Sequence, residues 1–446
     1  MEQAGGSLVQ RGSRDAAGAF IDSRVPLRGG LFVPIVAARD GHDFIGSAVD
    51  GGAAAVLIGP GRPTPPGDVT VVQVDDTLEA MTRLAAASRD RVEGPVVSIT
   101  GSNGKTTTRA MVEAVLGSAL PDVLCTRGNL NNHLGVPLTL LGEPHEPRAM
   151  VVELGMNAPG ENDHLARIVR PDVAVITSVA LEHLEFMGSI EAIAAAECEP
   201  IPHVRDGGAV VVPSDEALLL PHLPDGGVLS FGPDPSSTVV LEAVRQRETT
   251  EARLRLLGGE TVTLKLQAFG LHNARNAAAA LCVGLHLKLP VAPMLAALEA
   301  VVPVGDRGRA VTMGPHLLVA DCYNANPGSV EAAVRSLAAL RSERSGKLVA
   351  VLGDMLELGP TEEALHREAG ELCAAVKLDR LVTVGGRARW AAEAAREQGL
   401  DVVHAEDDVE QAARAVRDAL GTEPGAVLVK ASRGMKLERV VASLTA

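Results

Sequence analysis

Aromatic side chains are nearly missing from this chain, with one Trp, one Tyr and six Phe among 446 residues. The hydrophobic cores must therefore be built from Ala, Val and Leu. Positive charge is also in deficit. A formal charge of −15 excludes a general nucleic-acid or membrane-surface binder. An anionic substrate would then need a local positive site and a metal ion. The cysteines (Cys125, Cys198, Cys282, Cys322 and Cys373) show no metal-ligand spacing, which predicts free thiols in a reducing cytoplasm. Met1-Glu2-Gln3-Ala4-Gly5 lacks a basic region and an apolar stretch, so no secretory leader is expected. No apolar run reaches membrane-spanning length, and neither a heptad seam nor a repeat array is present.

What is present is ordinary globular composition, 46% hydrophobic and 22% charged, over a length too great for one core. Three domains are expected, at 1–94, 95–303 and 304–446. The first holds short apolar runs (Leu31 to Val36, Ala53 to Ile58, Val69 to Val74) between Gly/Pro turns, with a loop at Gly59 to Gly67. In the second, apolar runs at Ala149 to Val152 and Val173 to Ile176 alternate with helical patterns, which predicts a parallel sheet with crossover helices. Its later part, Thr238 to Phe269, alternates like antiparallel strands. The third returns to βα alternation at Leu317 to Ala320, Lys347 to Leu352, Leu381 to Val384 and Ala426 to Val429. The fold class is α/β throughout.

The run Ile99-Thr100-Gly101-Ser102-Asn103-Gly104-Lys105-Thr106-Thr107-Thr108 carries the clearest chemistry. An apolar strand (Val96, Val97) precedes it, and an amphipathic helix (Met111, Val112, Val115, Leu116) follows. Strand, Gly-rich turn and helix make a phosphate cradle. Backbone N–H groups face phosphate oxygens, Lys105 adds a mobile cation, and the Thr106 hydroxyl is offered to Mg²⁺. Ile99 stands where the strict pattern wants a small residue, so this is a shortened variant with glycines at Gly101 and Gly104.

In open parallel sheets, ligands gather beyond the carboxyl ends of the strands. Glu153, His183, Asp321 and Asp354 all fall at or after such ends. Any one of them reads as a solvated strand end. Four of them beside a phosphate loop point to a metal–nucleotide site.

At these residues the chain resembles the Mur ligase family of ATP-dependent amide-forming enzymes. Thr100 to Thr108 looks like that family's ATP loop. Asp22-Ser23-Arg24, Leu31-Phe32-Val33 and Asp40 to Phe44 resemble its small N-terminal UDP-binding α/β domain. Gly128-Asn129-Leu130-Asn131-Asn132, with Gly135 to Leu140, resembles the loop that meets the substrate's sugar and diphosphate. Glu153 to Gly160 and His183-Leu184-Glu185 fit its metal-binding regions, and His272-Asn273-Ala274-Arg275-Asn276 its adenine motif. Gly308-Arg309, Asp321-Cys322-Tyr323-Asn324-Ala325-Asn326-Pro327 and Leu352 to Gly359 complete the series. These last strings are similar to the D-alanyl-D-alanine-adding member. No Asp-Asn-Pro-Arg, expected of the diaminopimelate-adding relative, is seen.

The resemblance implies a small N-terminal domain, a central P-loop ATPase-like parallel sheet and a C-terminal Rossmann-like domain. The implied cofactors are ATP and Mg²⁺, and the implied substrates are UDP-N-acetylmuramoyl-tripeptide and D-Ala-D-Ala. A cytoplasmic monomer, binding no nucleic acid, is expected. Lys105, His183 and Arg309 would be catalytic. Gly101, Ser102, Asn103, Gly104, Lys105, Thr106, Thr107, Asn273, Asn276, Arg309 and Asp321 would hold the nucleotide. Ser23, Arg24, Asn129, Asn131, Asn132, Asn157, Asn324 and Asn326 would face substrate. Thr106, Glu153, His183 and Glu197 would serve metal. A ligase of the same fold with another substrate, such as folylpolyglutamate synthase, is the alternative, and a non-catalytic nucleotide-binding homologue is another.

The chain departs from the family pattern at Glu197, fourteen residues after His183, where a carbamylated lysine is usual. The negative charge is kept, but the side chain is shorter by about 3–4 Å of reach. Pro34 to Arg39 replaces a charged, Gly-containing stretch, and Cys322 stands where serine is usual.

Overall fold

The computed structural model describes residues 2–142, 146–182 and 184–446, and among these it forms three separate sheets. The first runs Ser7–Gln10, Thr70–Gln73, Ala55–Ile58, Leu31–Phe32, Ala19–Phe20, parallel except for its first strand. Pairing along the run expected from Leu31 to Val36 ends at Phe32. Pro34, two residues later, has no N–H to offer a ladder.

The central sheet has nine strands in the order Thr261–Leu266, Thr250–Leu256, Val239–Gln246, Val228–Gly232, Ala209–Pro213, Val173–Ile176, Val96–Thr100, Ala149–Glu153, Val123–Cys125. From Val239–Gln246 onward the strands are parallel, and the first two are antiparallel, as the alternation from Thr238 predicts. Parallel strands are apolar on both faces because helices cover both. Val97, Ile99, Val151 and Val175 meet the helices Lys105–Gly117 and His272–His286. Val96, Met150 and Val152 meet Leu165, Ala166 and Val169 of the helix Glu161–Val169. Each such fully buried Val, Ile or Leu contributes about 1.5–3 kcal/mol.

The third sheet runs Arg309–Met313, His316–Ala320, Ala426–Lys430, Leu348–Gly353, Arg380–Val384, Val402–His404, with only Arg309–Met313 antiparallel to its neighbour.

The helix Thr77–Asp90 serves two cores. Ala80 and Met81 join Val33, Leu57 and Val72 of the first sheet, while Ala85 joins Val96 and Leu140 of the centre. Buried Arg89 locks it there, donating Nε to Val169 O at 2.6 Å and Nη2 to Arg170 O at 2.8 Å. On the other side Phe269 packs into the third sheet's core, and its N–H donates to Gly308 O at 2.9 Å. All five cysteines are buried and free, and burial pushes the Cys198, Cys322 and Cys373 thiols up to about 12. No helix among the described residues is long and apolar enough to cross a membrane.

Candidate active site

The phosphate loop leaves the carboxyl end of Val96–Thr100, and its shape requires its two glycines. Gly101 (φ +120°) has no room for a Cβ, which would lie 2.1 Å from Thr177 Oγ1. Gly104 (φ +87°) is pressed against Asn276 Oδ1 in the same way, at 2.5 Å. The first three amides are engaged by protein: Gly101 N–H on Glu197 Oε2 (2.7 Å), Ser102 N–H on Ser178 O (2.9 Å) and Asn103 N–H on Ser178 Oγ (3.0 Å). The helix then starts at Lys105, and its opening amides have no intrahelical acceptor. Together with the helix dipole they favour an anion there.

Lys105 Nζ rests on Gly101 O at 2.5 Å and lies 3.5 Å from Glu182 Oε1. Burial alone would lower its pKa, but Glu182, Glu197 and Glu153 outweigh it and hold the ammonium above its ordinary value. Glu153 ends its strand in register with Ile99, buried. Its Oε1 accepts from Thr106 Oγ1 (3.3 Å) and Asn131 Nδ2 (3.0 Å), and its N–H donates to Thr126 Oγ1 (3.0 Å). Oε2 is buried without a hydrogen-bond partner among the described residues, 3.9 Å from Arg109 Nε.

These groups line a cleft of about 540 Å³ between the central and third sheets. Ser102 to Thr107, Asn129, Asn131, Asn132, Asn157, Asn273 and Asn276 line its central-domain side. Asp321, Tyr323, Asn324 and Lys430 line it from the third. Buried Lys430 Nζ donates to Asp321 Oδ2 at 2.8 Å and to Asn324 O at 3.0 Å. Tyr323, the only tyrosine, has the Arg307 guanidinium 3.6 Å from its ring centroid. His272 sits between the sheets, its Nδ1 unpartnered among the described residues; burial lowers its pKa, with Asp321 opposing and Lys430 assisting.

Two comparisons decide the family. Residues 99–284 match the Mur ligase middle domain, and residues 306–433 the Mur ligase, glutamate ligase domain. A Bacillus subtilis protein named UDP-N-acetylmuramoyl-tripeptide–D-alanyl-D-alanine ligase is 37% identical over 96% of this chain and 93% of its own length. The chain belongs to the Mur ligase family. Solved structures agree. MurF from Acinetobacter baumannii superposes with a TM-score of 0.88 at 28% identity, covering 100% of this chain and 97% of its own. MurF ligase from Thermotoga maritima, in complex with ADP, gives 0.84 at 29% identity, covering 96% and 97%.

Within this Mur ligase fold, several expected residues hold other positions. Asn326 is the N-cap of the helix Pro327–Ala339: its Oδ1 accepts from Ser329 N (2.8 Å), and its Nδ2 donates to Asn103 Oδ1 (3.0 Å). The Asp354 carboxylate accepts from the Arg387 and Ala388 amides (3.0 and 2.7 Å), capping the helix Ala388–Glu397. Asn273 and Asn276 do line the cleft, with Asn273 also bonded to Phe269 O (2.9 Å) and the two bonded to each other (3.0 Å) beneath Gly104. Arg309 is held by Asp306 at 2.7 Å outside the cleft lining, and Arg307 reaches the cleft instead. Ser23 and Arg24 lie in the first domain away from the cleft lining, Arg24 exposed and paired with Asp22 at 2.7 Å. That guanidinium holds the Asp22 carboxyl down to about 2. His183 lies outside the described residues.

Thr177, Ser178, Glu182, Arg307 and Lys430 also line the cleft, beyond the residues expected from sequence. Thr177 and Lys430 are polar residues at strand ends, the signal that singled out Glu153. Glu182 carries no such mark.

Proposed function

We propose that this chain joins D-Ala-D-Ala to UDP-N-acetylmuramoyl-tripeptide at the expense of ATP, in peptidoglycan precursor synthesis. The observation that carries this is one cleft lined from two domains, with a phosphate loop on one side and the Asp321–Asn324–Lys430 cluster on the other. In the first step a carboxylate oxygen of the tripeptide attacks the γ-phosphorus of ATP, the bond to the β-phosphate oxygen breaks, and ADP leaves. In the second, the dipeptide amine attacks the acyl-phosphate carbon, loses a proton, and inorganic phosphate departs. Phosphoryl transfer needs positioning and charge neutralisation above all. Lys105 and the opening amides of its helix hold the β- and γ-phosphates. Asn129, Asn131, Asn132 and Asn157 face the sugar and diphosphate. Asn324 and Asp321, oriented by Lys430, face the incoming dipeptide or the ribose. Arg309 reaches the γ-phosphate by leaving Asp306 as the domains close, and closure keeps water from the acyl phosphate.

Mg²⁺ fits beside Thr106 and Glu153, where Oε2 is buried and unpartnered among the described residues. Its remaining ligands there would be nucleotide oxygens and water. Bound there, the ion would neutralise charge on the phosphates. The test is release of ADP and phosphate from ATP, Mg²⁺, UDP-N-acetylmuramoyl-tripeptide and D-Ala-D-Ala, each omitted in turn, with the product weighed. Turnover requiring all of them, with product heavier by one dipeptide, supports the reading. ATP binding without turnover overturns it.

A further inference from the structure

Glu197, expected from sequence to serve metal, is a buried carboxyl outside the cleft lining, with one oxygen engaged by the phosphate loop. It closes the helix Ile190–Glu197 and is 1% exposed. Its Oε2 accepts the Gly101 N–H at 2.7 Å, its main-chain oxygen accepts the Thr100 hydroxyl at 2.9 Å, and its Oε1 has no partner among the described residues. Gly101 is held from its other end as well, since its carbonyl accepts Lys105 Nζ at 2.5 Å. Thr177 packs against the side of Gly101 where a Cβ would lie, 2.1 Å from its Oγ1. One peptide residue thus links a rigid helix end to the resting place of the phosphate lysine.

The same helix end reaches the other way through Glu199. Its two carboxylate oxygens accept from Gly160 N (2.6 Å) and Asp163 N (2.9 Å), while Ala196 O accepts from Asn162 Nδ2 (3.1 Å). The helix Ile190–Glu197 is therefore a fixed post against which the loop is set. A carboxyl oxygen aimed at the loop would repel phosphate if it faced the cleft. Turned to the Gly101 amide, it leaves phosphate to the amides that open the helix Lys105–Gly117.

We propose that Glu197 is a positioning residue of the nucleotide site: its acceptor oxygen fixes Gly101, and through Gly101 the seat of Lys105, so that the loop is formed before nucleotide arrives. This rests on the reading that the loop binds ATP. The test measures ADP affinity by calorimetry and amide hydrogen exchange at Gly101 in the full chain, for wild type, E197A and E197Q. E197A is expected to weaken ADP binding about tenfold and to speed Gly101 exchange, the loss of one buried hydrogen bond. E197Q, whose amide oxygen can accept the same N–H, recovers most of both. A role in folding alone would lower the melting temperature and leave ADP affinity intact. Wild-type affinity and exchange in E197A, or E197Q as weak as E197A, would overturn the proposal. Should E197A not fold, E197D, one methylene too short for the bond, is read in its place with the same loss expected. If the wild type binds no ADP, the nucleotide reading fails. Fast Gly101 exchange in the wild type overturns the positioning role by itself.

Discussion

Asn326 Nδ2 donates to Asn103 Oδ1 across 3.0 Å, joining residues 223 apart in the chain. The same Asn326 caps the helix Pro327–Ala339, with its backbone N–H donating to Ser329 Oγ at 3.0 Å. The orientation of the third domain is thereby tied to the phosphate loop by a side chain that also starts a helix.

The two duties separate by substitution. Asn326→Asp keeps the acceptor that caps the helix and loses the donor to Asn103. Stability should stay near wild type while turnover falls, about tenfold for the loss of this one hydrogen bond to the phosphate loop. Asn326→Ala loses both and should cost about 1 kcal/mol of stability as well. Thermal unfolding and ADP release on the same preparations distinguish them; a stable, fully active Asn326→Asp would refute the link.

Lys105 and Glu153 should fail differently. Lys105→Met removes the cation at the phosphates and should lower turnover on the order of a hundredfold or more. Glu153→Gln keeps the hydrogen bonds from Thr106 and Asn131 within reach but removes the charge opposite the metal. It should raise the Mg²⁺ concentration needed for half-maximal turnover, and chelation with EDTA should stop the wild type altogether. A magnesium titration of each variant settles the contrast.

Lys430 is buried, and its ammonium is matched by Asp321 at 2.8 Å. Breaking a buried pair from one side leaves an uncompensated charge, so Lys430→Ala should destabilise by about 3 kcal/mol. Chemical denaturation measures this directly. Lys430→Ala, Asp321→Ala together should cost less than Lys430→Ala alone.

His366 sets part of the acid sensitivity. It is buried, its Nδ1 donating to Glu362 O (2.6 Å) and its Nε2 accepting from Met355 N–H (3.0 Å), so the neutral ring is the one that fits. Burial holds its pKa below the ordinary value of 6.5. The unfolded chain therefore binds the proton more readily, and stability should fall as pH drops below 6.5 towards the folded value. His366→Gln should flatten that limb in urea midpoints measured between pH 7 and pH 5.

Glu197 carries its carboxyl on its own carbons, so no carbamate has to form at this position. Turnover by this chain should therefore be indifferent to bicarbonate. Stimulation of the wild type in degassed buffer by added bicarbonate would contradict this.

The strongest local signals were legible without coordinates. Gly101 and Gly104 between an apolar strand and a helix with Lys105 specify their own backbone, because φ/ψ sterics and a helix N-terminus are properties of short segments. The alternation after Thr238 told antiparallel from parallel for the same reason. Asn326 and Asp354 were visible as polar residues in distinctive strings, but sequence could not say whether each side chain faced a ligand or capped a helix, since both need the same acceptor. Asn273 and Asn276 shared that ambiguity.

By itself, then, the sequence determined the phosphate loop, the α/β class and the identities of the polar residues at strand ends. Each follows from chain-local sterics and periodicity. Tertiary structure alone decided that Glu182 would neighbour Lys105, that Arg307 and not Arg309 would line the cleft, and that Glu197 would turn its carboxyl to Gly101. Those outcomes depend on distances between segments far apart in the chain, and such distances are set only when helices pack on a sheet and one domain closes on the next.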